Sequence, residues 1–311
     1  MRRLSRGAFD RARRFIQEEA RPLERALLAF RFEHGRCQDV LEQLTQFANE
    51  DGGFGHALEP DVRTPSSSAL ATALALGTLE EIDCPADDPL VRRAVGWVVS
   101  THDAKTQVWR VVPTDANDYA HAPWWHDEDG SLARTFGDFM IIPRALLVGL
   151  LHHFGQHLPA DWLDPVTESI VRRVESVGVL GEGGGSDLEY VVHLARTDLL
   201  PDHYRERLIA RVRETIPQAV VRDPAKWSTY CVTPLRTVPT PDSIGADLIE
   251  AELRRNLDVL IDQQSPTGAW DPTWTFEYPP EWAFARQEWR GIITLGALTT
   301  LKAFGRIENL S

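Results

Sequence analysis

The chain has 311 residues, 43% of them hydrophobic, and a formal charge of -13. That is enough apolar material for a real core, in one large domain or two ordinary ones, and a charge that opposes phosphate backbones, so nucleic acid is excluded as a partner. Three cysteines without a CxxC spacing support neither a disulfide framework nor a zinc knuckle, and no apolar run reaches signal-peptide or membrane-spanning length, so the expectation is a cytoplasmic protein without a membrane span.

In chain order, the basic N-terminal stretch reads as a helix over about 8–30, packing on the main body. Helical spacing then recurs in "CQDVLEQLTQFA", "SSSALATALALGTLEEI", "DPLVRRAVGWVVST", "IPRALLVGLLHHFG", "LDPVTESIVRRVESV", "DLEYVVHLA", "HYRERLIARVRETI", "ADLIEAELRRNLDVLIDQQ" and "WRGIITLGALTTLKAFG". Ser66 to Ser68 precede one Ala/Leu run, and Asp88 with Pro89 opens another, as helix starts should. Little alternates like a strand, so the class is all-α.

Between the helices the loops are long and alike. "QFANEDGGFG", ending near Phe54, "THDAKTQVW", ending at Trp109, and "QQSPTGAW", ending at Trp270, each follow an apolar helix and end on an aromatic. Phe54 and Trp109 lie about 55 residues apart, and Trp270 falls close to a multiple of that interval. About six helical hairpins would fill the chain. Such hairpins either stack or close into a ring, and with no hydrophilic capping repeat in view, closure is the expectation for a single domain over 1–311.

These residues carry a resemblance. The Asp51-Gly52-Gly53-Phe54-Gly55 turn followed by a Ser/Ala-rich helix resembles the glutamine-tryptophan repeats of squalene-hopene cyclases and of protein prenyltransferase β subunits. Together, "EDGGFGHALEPD", "NDYAHAPWW", "PTPDS" and "EWRGIITLGALTTLKAFGR" resemble a bacterial prenyltransferase or squalene cyclase-like group over nearly the whole chain. The resemblance implies an α/α toroid, a six-hairpin barrel whose loops ring a central cavity, with terpene cyclase-like protonation and carbocation chemistry on an isoprenoid.

The densest candidate stretch is "PTDANDYAHAPWWHDEDG". Its Asp115-Ala116-Asn117-Asp118 resembles the Asp-x-Asp-Asp of class II terpene cyclases, but Asn117 stands where the middle acid belongs. Asp118 would replace it as the acid if burial raised its pKa, with Asn117 and His121 as orienting residues. Glu59 and Asp61, on the loop after the first turn, would supply the base. Asp51 reads as part of the repeat turn itself.

Substrate contacts fall to Asp115, Tyr119, Trp124, Trp125, Trp274 and Trp282, with Glu288 and Arg290 for a polar head group. Phe276, Tyr278 and Trp289 add to the aromatic wall, and Trp270 reads as a packing brace. Ring faces stabilise a cation by roughly 0.5–2 kcal/mol per contact. No metal site is expected; His153 and His157 near a helix end are the weak exception, and Mg2+ enters only if the substrate is a diphosphate. One domain of this size leaves the cavity without a lid that a homo-oligomer would supply. Two other readings stay open: a carbohydrate-active hydrolase or lyase on an α/α barrel, using paired carboxylates and stacking tryptophans, and a noncatalytic binding toroid.

Overall fold

The computed structural model describes residues 2–181, 185–274 and 280–309. Phe276 and Tyr278 lie outside them. The described residues form helices and isolated bridges, with no strand, and no helix is long and apolar enough to cross a membrane. They group into two compact units, Met1–Gln43 with Gly183–Gly185 and Ile216–Ser311, and Leu44–Glu182 with Ser186–Thr215.

The first unit opens with α1 (Arg6–Glu19) and α2 (Pro22–Phe32) instead of one helix over 8–30. Pro22 is the reason: it has no N–H for the carbonyl four residues back, and it pushes Arg21 to an extended ψ of 156°. Ser5 caps α1 through Ala8 N, and α3 (Cys37–Leu44) follows.

In the second unit α4 (Ala69–Glu81) and α5 (Pro89–Ser100) start where expected, Ser68 accepting from Ala71 N and Asp88 from Leu90 N. After them come the five-residue α6 (Ser131–Thr135), α7 (Arg144–Phe154), α8 (Ala160–Ser176) and α9 (Ser186–Arg196). Helix α7 is the centre: it packs on α4, α5, α8 and α9 and is buried on nearly every side, as its unbroken apolar run requires. Gly149 lets α9 come close, since a Cβ there would meet His193 Nδ1 and Thr197 Oγ1 at 3.0 Å. The same contact holds His193 Nε2 2.8 Å from Glu80 on α4. Burial raises the Glu80 pKa, but the hydrogen bond and charge of His193, with His153 and Arg196, outweigh it and leave the carboxyl below its usual range. His157 lies past the end of α7, so it does not share a helix face with His153.

Helix α10 (Asp202–Ala219) is followed by the short α11 (Pro234–Thr237), α12 (Glu250–Asp262) and α13 (Glu281–Ala303). Within the first unit α13 packs on α1 and α2, and α11 on α12.

The three look-alike loops share hydrogen bonds as well as letters. In the first, Asn49 N donates to Gly53 O and Gly52 N to Asn49 O; in the last, Ser265 N donates to Ala269 O and Gly268 N to Ser265 O. The middle loop is one residue longer, with Asp103 N to Val108 O and Gln107 N to Asp103 O. Each has a positive φ at the corner: Gly52 at 99°, Gln107 at 62°, Gly268 at 94°. The aromatic that ends the loop is then anchored. Phe54 N donates to Thr72 Oγ1 and Trp270 N to Thr294 Oγ1, both at 3.0 Å. Trp109 and Trp270 also donate their indole N–H to carbonyls of the preceding helix, Val98 O and Leu260 O. Trp270 is thus a brace.

Candidate functional site

Between Phe54 and α4 the chain makes an extra excursion. Asn49 holds its two ends, donating from Nδ2 to Pro65 O and Ser67 Oγ and meeting His56 Nε2 through Oδ1 at 2.8 Å. His56 and Ala57 both sit at positive φ, 53° and 58°, a conformation that costs non-glycine residues energy and persists only where surroundings enforce it. His56 N to Thr64 O, Leu58 N to Gly55 O and Val62 N to Glu59 O close the excursion on itself.

Its outer edge pairs with the acidic stretch. Arg63 N donates to Ala120 O and Ala122 N to Asp61 O, around an antiparallel bridge of Val62 and His121. Asp115 is drawn in by hydroxyls, accepting from Ser66 Oγ at 2.6 Å and Thr64 Oγ1 at 3.4 Å. The structure therefore brings Glu59, Asp61, Asp115 and His121 into one paired-loop assembly. Glu59 and Asp61 are buried within it, 9% and 3% exposed. Glu59 lines a crevice with Thr64, Ser66, Ser68 and the apolar Val62, Leu70 and Val112. The crevice encloses about 220 Å³ counting its open mouth, and its interior has room for about one water.

Other candidates are placed differently. Asp118 is exposed, whereas the acid role asks for burial. Asn117 does not orient Asp118. Its side chain brackets Asp127, donating from Nδ2 to Asp127 O at 2.7 Å and accepting from Asp127 N at 3.1 Å. Burial raises the Asp127 carboxyl, but its pairing with Arg110 and the Leu132 N–H hold it below its usual range. Tyr119 is 42% exposed, Trp124 is half-buried, and Trp125 is buried with its ring stacked on Phe136 at 4.9 Å.

His121 has a partner that the sequence reading passed over. Its Nδ1 lies 2.6 Å from Tyr119 O, so that nitrogen carries the proton, and its Nε2 lies 3.0 Å from His126 Nδ1. The two rings are near-parallel, 9° apart, with centroids at 5.2 Å. With its proton on Nδ1, His121 offers Nε2 as the acceptor for His126 Nδ1–H. The "WWH" following His121 at five residues is the only trace of this in the sequence.

Trp274, Trp282, Glu288 and Arg290 belong to the first unit. Trp274 meets Trp289 edge-on at 5.1 Å and Tyr230 at 5.9 Å. Trp282 and Glu288 are half-buried. Arg290 is not a free head-group ligand: its Nε lies 3.0 Å from Asp271, its other nitrogens donate to Gln287 and Thr267, and its guanidinium covers Phe15. These contacts fix the guanidinium in place, though they do not use all five of its N–H donors.

Among the described residues, no group of three His, Cys, Asp or Glu side chains is arranged to hold a metal ion. In comparisons with known proteins, no family model and no curated protein matches the chain.

Proposed function

We propose that the protein is a terpene cyclase-like enzyme of the α/α-toroid superfamily, acting on an isoprenoid by protonation and carbocation chemistry, with Glu59 and not Asp118 as the proton donor. The observation that carries this reading is the burial of Glu59 in a crevice of aliphatic side chains and hydroxyls. A general acid works on its substrate out of bulk water, and Glu59 is the carboxyl that lines this crevice. Asp61 and Asp115 lie in the same paired loops, where a second carboxylate would receive the proton back. Because the crevice holds about one water, an isoprenoid enters only if the 57–63 strap shifts from the 119–122 segment. The reading includes closure of the hairpins into a toroid, a cytoplasmic location and a homo-oligomer covering the mouth.

The test is mass-spectrometric product analysis with geranyl, farnesyl and geranylgeranyl diphosphates and squalene, with and without Mg2+. Wild type, Glu59→Gln and Asp118→Asn are compared. A product lost in Glu59→Gln and kept in Asp118→Asn is the expected result. The reverse pattern returns the acid to Asp118. No product from any isoprenoid, with release of sugars from oligosaccharides, would move the site to the carbohydrate-active reading.

A further inference from the structure

Arg144, the first residue of α7, is completely buried, 0% exposed. Its Nε, Nη1 and Nη2 all lack a hydrogen-bond partner. Burial lowers the guanidinium pKa to about 10. The group therefore stays cationic at neutral pH. An unpaired buried cation is among the costliest features a fold can keep, and a guanidinium has five N–H donors that cannot be turned into acceptors.

His102 is its electrostatic neighbour. Burial lowers the imidazole pKa first and the Arg144 charge lowers it further. Its Nε2 is also buried without a partner. The ring is tilted against Trp109 at 4.6 Å and meets Trp162 edge-on at 5.4 Å. The three guanidinium nitrogens of Arg144 and Nε2 of His102 thus lie unsatisfied, and the His102 ring lies against Trp109 and Trp162.

We propose that Arg144 binds the carboxylate of a small ligand whose apolar body packs against the rings of His102, Trp109 and Trp162. The planar fork of arginine matches a carboxylate with two parallel hydrogen bonds. One guanidinium balances one carboxylate charge, whereas a phosphate dianion would leave excess charge in an apolar surround, in a chain already at -13. Since the nitrogens are sealed, entry requires local opening. The 101–143 stretch leading into Arg144 consists of turns, 3-10 segments and the five-residue α6, the kind of backbone that opens at low cost. This site is independent of the Glu59 reading.

The full-length chain is titrated calorimetrically with acetate, benzoate and inorganic phosphate at constant ionic strength. Saturable one-to-one binding of benzoate, at least tenfold tighter than phosphate, is expected. Arg144→Lys keeps the charge without the fork, and Arg144→Met removes both; each should weaken benzoate at least tenfold. Arg144→Met without ligand should melt no lower than wild type, because it removes an unpaired buried charge. Should that variant fail to fold, the wild-type protein with 15N-labelled histidine decides: the His102 Nε2 resonance must move as benzoate saturates. The inference is overturned by absence of saturable carboxylate binding, by tighter phosphate binding, by full affinity in the Met variant, or by binding that leaves His102 unmoved.

Discussion

The Asn49–Phe54 turn and the Ser265–Trp270 turn are the same backbone device built from different residues, only the corner glycines Gly52 and Gly268 being identical. Position for position, Asn49 matches Ser265, Gly52 matches Gly268 and Phe54 matches Trp270, down to the two closing hydrogen bonds and the threonine that receives the aromatic N–H. Where the first turn has Asp51, the second has Thr267. Asp51 gathers Gly53 N, Ser67 Oγ and Trp97 Nε1; Thr267 takes Ser265 Oγ and Arg290. The carboxylate thereby ties the far end of the 55–68 excursion back to its own turn, which holds the buried Glu59 strap in place. The repeat accounts for the turn, and the exchange accounts for the site beside it.

The sharpest way to break this equivalence is at the corner glycines. A Cβ on Gly268 would lie 2.5 Å from Arg11 C on α1, and one on Gly52 would lie 2.7 Å from Arg93 O on α5, both at positive φ. Backbone cannot yield as a side-chain tip can, so Gly268→Ala and Gly52→Ala should each cost about 3 kcal/mol or more, read from urea denaturation. A cost under about 1 kcal/mol at either would mean that its turn does not need glycine. Next come the receiving threonines, Thr72 and Thr294, both fully buried. Thr72→Val and Thr294→Val each strand one buried amide N–H, at about 2 kcal/mol; Thr→Ser controls should recover most of it. Unequal losses would separate the two turns energetically.

Much of the fold was legible because helices announce themselves locally. Ser68 and Asp88 cap where they stand in the sequence, and the spacing in "ALATALALG" dictates a buried helix without help from elsewhere. Pro22 was equally visible, and a helix carried through it ignored what proline does to the preceding residue. The site was half legible. Glu59, Asp61, Asp115 and His121 were chosen as chemistry and do come together, because two loops rich in turn residues have unpaired backbone to exchange. Asp118 and Asn117 were chosen from a tetrad pattern, and a pattern carries no information on which carboxyl faces inward. His126 and Arg144 were hidden for another reason: the first meets His121 only through the course of the loop between them, and the burial of the second is set by tertiary packing. A lone arginine in "IPRALLVGLL" was a signal all the same, since a charge in an apolar run either snorkels or needs a partner.

The smallest effect addresses the exchange itself. Asp51 is exposed, so water replaces part of what its removal takes away, and Asp51→Ala should cost about 1 kcal/mol in global stability. Thr267→Ala, at the matching position, should cost less, about 0.5 kcal/mol or below. The global numbers are close, but the local consequences should differ. Asp51→Ala frees Ser67 and Trp97, so amide exchange should quicken across residues 55–68 while Phe54 N, held by Thr72, stays protected. Thr267→Ala leaves Asp271 and Gln287 on Arg290 and should leave exchange around Trp270 unchanged. If the 55–68 amides exchange no faster in Asp51→Ala, then Asn49 and the pairing with residues 115–122 hold the excursion, and the carboxylate that distinguishes the first turn contributes nothing to the strap that buries Glu59.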